Sequence, residues 1–144
     1  MFKVTVNYED FDGNKKMEDL YFNINKAEVY RLGPQLGSDP EAYVKKMDAT
    51  KDAGMMLKLV DILIDSAYGV KYIDEDGSTR FRKNARELEK FKESNAYAEF
   101  FAMLFNPETP LMEEFINKVL PQDFLNQNKI AMEKAQTTAL NSGK

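Results

Sequence analysis

The chain is 144 residues long, 43% apolar, and has a formal charge of −4 with neither cysteine nor histidine. Its size and apolar fraction suit one folded domain, and the acidic balance argues against general nucleic-acid binding, which needs a basic surface. With no thiol or imidazole, disulfides, thiolate zinc sites, thiol nucleophiles and Ser-His-Asp arrangements are excluded, together with the commonest general base.

The first residues, "MFKVTVNYED", turn polar almost at once and do not read as a signal peptide. The most apolar stretch, "MMLKLVDILIDSAYGV", is interrupted by Lys58, Asp61 and Asp65 and cannot span a bilayer. The expectation is a soluble intracellular protein, with no membrane partner, no nucleic-acid partner and no cofactor.

Phe2, Val4, Val6 and Tyr8 alternate with polar residues, the period of a half-buried strand. The Asp12-Gly13 pair signals a turn, and Leu20, Phe22 and Ile24 alternate again, which predicts an N-terminal β-hairpin. Such a hairpin must pack on helices or join a larger sheet. Asn25 and Glu28 form a capping box ahead of Val29, Leu32 and Leu36. Ser38 or Asp39 caps a further turn or two of helix containing Pro40, Tyr43, Val44 and Met47. From Thr50 the helical spacing strengthens through Met56, Leu59, Val60, Leu63 and Ala67, a helix apolar on most sides and so central to a core. Gly69 stands where a left-handed helix stop is expected. Tyr72, Arg80 and Phe81 then belong to a second short hairpin, near 70–83, with its tip at Asp76-Gly77. Asn84 caps a charged helix, "NAYAEFFAMLF" follows as an apolar one, and Thr109-Pro110 restarts a helix that Pro121 stops. The fold class is α+β, predominantly α-helical, with two hairpins and about six helices. Residues 1–121 read as one globular domain, and 122–144 as a weakly helical or disordered tail.

Three constellations invite a chemical reading. Tyr8 to Gly13 and Tyr72 to Gly77 share the form Y-x-D-x-D-G. If Gly77 held the sixth position of a calcium loop, Tyr72 and Lys83 would stand where carboxylates are required, so turn chemistry is the better account. Arg80, Arg82, Lys83 and Arg86 suggest a phosphate grip, but no Gly-rich loop accompanies them and Glu87 and Glu89 share the segment, which favours a solvated face. Asp61 and Asp65, four apart on one helix, are the candidates for carboxylate hydrolysis, against the commoner reading of a polar helix edge beside Lys58. Glu113 and Glu114 suit a helix N-terminus. The aromatic run from Tyr97 to Phe105 has helical spacing and reads as core rather than as a ligand pocket. No residue is assigned a catalytic, cofactor-binding or metal-binding role.

The order "SAYGVK", "DGSTRFRKN", "SNAYAEFFAML" and "FINKVLP" resembles the tail assembly chaperones of long-tailed, siphovirus-type bacteriophages, chiefly those of Gram-positive hosts. Typical members carry "SYGVK", "DGRRFIK", "TEAYSEFF" and "FINGIIP" in that order. The resemblance covers about residues 2–121. It implies a non-enzymatic protein that binds the tape-measure protein in the host cytoplasm, keeps it soluble while the tail tube assembles, and is absent from the mature virion. Further candidate partners are the major tail tube protein, a frameshifted longer form of the same chain, and a homo-oligomer. The alternative is a structural or adaptor subunit of a phage particle. Phe124, Leu125, Ile130 and Met132, apolar residues in a polar context, are the candidate partner-binding residues, against the plain reading of a disordered end without a role.

Overall fold

A computed structural model describes residues 1–109 and 111–121. The chain builds β1 (Phe2–Glu9), β2 (Lys15–Phe22), α1 (Lys26–Val29), α2 (Leu32–Leu36), α3 (Pro40–Thr50) and α4 (Ala53–Ala67). It continues with β3 (Tyr68–Ile73), β4 (Thr79–Arg82), α5 (Ala85–Glu93), α6 (Asn95–Leu104) and α7 (Leu111–Val119). The fold is α+β, as expected, with seven helical segments among the described residues.

The two hairpins join into one antiparallel sheet of order β1-β2-β3-β4. The β1–β2 ladder is continuous from Phe2↔Phe22 to Glu9↔Lys15, whereas β2 and β3 meet only at Tyr21↔Gly69 and Phe22↔Tyr68. Alternation puts Phe2, Val4, Val6, Leu20 and Phe22 on a buried inner face, and leaves Lys3, Thr5, Asn7, Met17 and Asp19 outside. β2 ends at Phe22, so Ile24 lies beyond the strand; it is buried all the same, and its N–H donates to the Val119 carbonyl (3.3 Å).

The inner face packs on α6 and α7 through rings. Phe22 is the hub: its ring lies 4.8 Å from Phe100, 5.3 Å from Phe115, 5.7 Å from Tyr68, 6.1 Å from Phe91 and 6.2 Å from Phe2. The stacked and edge-on pairs suit the ring quadrupoles. Leu59, Val60, Leu63, Ile64 and Ala67 bury the inner face of α4, which confirms its central place; Met55 and Met56 are only half-buried. No polar or charged residue is buried among the described residues.

The expected caps at Asn25–Glu28, Asp39 and Asn84 are all formed. The start of α4 differs from expectation. α3 runs on to Thr50, Lys51 takes a left-handed turn (φ 53°), and Asp52 accepts from the Met55 N–H to cap α4. Gly69 is not the helix stop. α4 ends at Ala67 with Tyr68 already extended, and Gly69 is a strand residue without a positive φ. A methyl there would lie 2.5 Å from Phe81 Cζ and 2.9 Å from the Arg82 carbonyl oxygen. Close strand packing, not turn geometry, demands glycine at this position.

Candidate partner-binding face

The acidic turns resolve first. In both, Asp and Gly close the same backbone turn. Gly13 N–H donates to Asp10 O (3.1 Å) and Asp10 N–H to Asn14 O (2.9 Å); Gly77 N–H donates to Asp74 O (2.9 Å) and Asp74 N–H to Ser78 O (2.8 Å). Gly13 and Gly77 have φ of 81° and 85°, the left-handed region that glycine adopts without strain. The Asp10 carboxylate accepts from the N–H groups of Asn14 and Asp12, which hold its pKa below the usual carboxylate range. The Ser78 N–H does the same for Asp76. Arg80 faces both carboxylates of the second turn, at 3.2 Å from Asp74 and 3.7 Å from Asp76. Among the described residues no group of three carboxylates is placed to hold a metal ion.

Three of the four residues of the basic cluster are committed within the chain. Besides Arg80, the Arg82 guanidinium lies 4.4 Å from the Tyr72 ring centre. Lys83 is not on a solvated face. Its Nζ donates to both oxygens of Glu28 (2.5 and 2.6 Å) and to the carbonyls of Asn23 (2.8 Å) and Ser66 (2.9 Å). One ammonium thus ties together the ends of β2 and α4, the start of α1 and the approach to α5.

Asp61 and Asp65 do not converge on a reaction site. Asp65 pairs with Lys92 at 2.5 Å, which holds the Lys92 ammonium above its ordinary pKa and fastens α5 to α4. Asp65 also borders a cleft of about 350 Å³ with Glu28, Arg31, Tyr68 and Lys83, whereas Asp61 is not part of that lining. Asp61 acts instead on Tyr97, whose phenol is raised first by burial and then by this carboxylate.

The aromatic run divides into two stripes on α6. Ala96, Phe100 and Leu104 are buried against the sheet. Tyr97 and Phe101 are half-buried, and Phe105 at the end of the helix is 36% exposed. Their rings form a ladder one turn apart, 5.8 Å from Tyr97 to Phe101 and 5.0 Å from Phe101 to Phe105. Spacing of four residues places all three along one line of the helix, an apolar strip beside the acidic Asp61. The sequence reading assigned the whole run to the core. The signal that separates the stripes is the one-residue offset between 96-100-104 and 97-101-105.

Other exposed apolar side chains escaped that reading too. Phe11 at the first hairpin tip is 80% exposed, Tyr30 at the α1–α2 corner 85%, and Ile73 at the end of β3 76%. Phe124, Leu125, Ile130 and Met132 lie outside the described residues.

The described residues thus define a helical α+β domain in which Arg80, Arg82, Lys83 and Asp65 make contacts within the chain and a line of rings on α6 is left half-exposed. A family model described as "Phage tail assembly chaperone" matches residues 1–142, past Pro121 where the motif resemblance stops. The chain belongs to that family. It is also 31% identical over 78 residues to "Protein EFR3" of Debaryomyces hansenii. That stretch is 54% of this chain and 8% of EFR3, so the chain spans only a small part of that protein's length. No solved structure matches. No helix among the described residues is long and apolar enough to cross a membrane.

Proposed function

We propose that this tail assembly chaperone works by binding the tape-measure protein through the ring ladder of α6, keeping it soluble in the host cytoplasm while the tail tube assembles, and leaving before the virion is complete. The observation that carries this reading is the half-exposed line Tyr97, Phe101 and Phe105 on a helix whose adjacent stripe is fixed in the core. A long helical partner with an apolar stripe is the ligand such a strip fits, as in helix-in-groove recognition. The rings are pre-positioned, so binding does not first have to order them.

The test is co-expression with the tape-measure protein of the same gene cluster, reading soluble yield and co-purification. The expected result is a soluble complex that Phe105→Asp weakens about tenfold, within the range of a contact at the edge of a hot spot. Its melting curve should stay close to that of the parent, because Phe105 is already exposed. If the tape-measure protein stays insoluble and no complex forms, the proposal fails. A complex indifferent to Phe105→Asp but lost on deleting residues 122–144 moves the contact to Phe124, Leu125, Ile130 and Met132. Recovery of the chain in purified particles favours the structural-subunit alternative.

A further inference from the structure

The sheet leaves β1 as an edge strand of eight residues without proline or bulge. Its hydrogen bonds can be assigned by parity. The Asp10–Asn14 bond at the hairpin end fixes the ladder, so the backbone groups of Phe2, Val4, Val6 and Tyr8 point to β2. Those of Lys3, Thr5, Asn7 and Glu9 point to the open edge. Asn95 Nδ2 donates to the Glu9 carbonyl (2.8 Å). Among the described residues, no turn, cap or loop backbone bond reaches Lys3, Thr5 or Asn7. Long, regular edges of this kind are templates for another strand unless they are guarded.

We propose that the occupant of this edge is β1 of a second copy of the chain, paired antiparallel about a two-fold axis at Val6. Registers that keep the inner face continuous must match odd residues with odd and even with even. The one centred on Val6 sets Thr5 opposite Asn7, Val4 opposite Tyr8, and Lys3 opposite Glu9. Glu9 already faces Lys15 across its own hairpin, so the carboxylate would stand between two ammonium groups. The neighbouring register, centred on Thr5, sets Lys3 against Asn7 and gives Glu9 only Met1, outside β1, in place of the Lys3 ammonium. Charge therefore selects the first register, and opposite charges directly across strands favour pairing while like charges oppose it. An isologous contact of this type closes on itself and limits the assembly at this edge to a dimer.

The experiment is sedimentation velocity and light scattering on the full chain from about 1 μM to about 1 mM, a range that captures Kd values down to weak association. The expected result is a concentration-dependent dimer. Thr5→Pro should abolish it, because the Thr5 N–H serves the open edge and not the β1–β2 ladder. Lys3→Glu should raise the dimer Kd about tenfold by setting carboxylate against carboxylate, and Lys3→Glu with Glu9→Lys should restore it. Circular dichroism checks that each variant is folded. If Thr5→Pro does not fold, the exposed charge pair still decides the matter. A monomer at every concentration overturns the proposal. So does a dimer whose Kd is unchanged by Thr5→Pro or by Lys3→Glu; a β1 edge open only to an extended peptide of another protein gives the monomer result.

Discussion

Gly69→Ala separates the two accounts of that glycine. The added methyl would sit 2.5 Å from Cζ and 2.7 Å from Cε1 of Phe81, and 2.9 Å from the Arg82 carbonyl oxygen. The ring belongs to a half-buried side chain and can swing, but the carbonyl moves only by opening the β3–β4 ladder at Val70↔Arg82. Overpacking of this kind costs about 2 kcal/mol. For a chain of this size that lowers Tm by about 6 °C. Urea denaturation of the single variant, of Phe81→Ala and of the double variant completes a cycle. The ring's share of the clash should return in the double variant and the carbonyl's should not, giving a coupling of about 1 kcal/mol. Gly77→Ala is the control: φ is +85° and nothing lies within 4 Å of the added methyl, so it reports backbone strain alone. A Gly69→Ala variant as stable as the parent would refute the packing account, and a coupling near zero would remove the Phe81 ring from it.

Phe22→Ala should be the most damaging ring deletion, costing about 4 kcal/mol, because the ring is fully buried and joins Phe2, Tyr68, Phe91, Phe100 and Phe115; chemical denaturation measures it. Lys83→Met leaves two carbonyls without this donor and the Glu28 carboxylate with only the Asn25 N–H. Lys83 and Glu28 keep 22% and 25% side-chain exposure, so the loss should be about 2 kcal/mol, below that of a fully buried pair. Glu28→Gln in the same chain should recover part of it. Alkaline titration should reveal Tyr68. Burial raises its phenol from 10.0 to about 12. The neutral form is the one the fold prefers, so its contribution is complete below pH 10.0 and is lost as pH rises toward about 12. Tm followed through that window should fall less steeply in Tyr68→Phe.

Much of the fold was legible because its signals are local. The alternation in β1, the Asn25–Glu28 capping box, Pro40 behind Asp39 and the Asn84 cap each act within a few residues and depend on no distant partner. The misread positions depend on partners far along the chain. Gly69 is glycine because Phe81 and Arg82 come back beside it, and a glycine after a helical run looks the same when it ends the helix. Lys83 looked solvated because its neighbours in sequence are charged, while its partners Asn23, Glu28 and Ser66 are distant in the chain. The joining of two hairpins into one sheet rests on only two residue pairs, Tyr21↔Gly69 and Phe22↔Tyr68, and no local pattern announces it.

The candidate surface was hidden for a different reason. Core and surface stripes of α6 are both apolar, so periodicity recognises the helix without saying which stripe meets the sheet. The sheet decides: β1 and β2 need an apolar layer over their inner face, and Ala96, Phe100 and Leu104 supply it, which turns Tyr97, Phe101 and Phe105 aside. The same helix meets the other candidate surface through its first residue, since Asn95 holds the Glu9 carbonyl at the end of β1. A shift of α6 would therefore be transmitted to the edge strand at Glu9, the position whose charge would select the register of the proposed self-pairing. Asn95→Ala removes that hydrogen bond while leaving the buried packing of α6 on the sheet in place, so it isolates the part of any coupling between the two proposed surfaces that runs through Glu9.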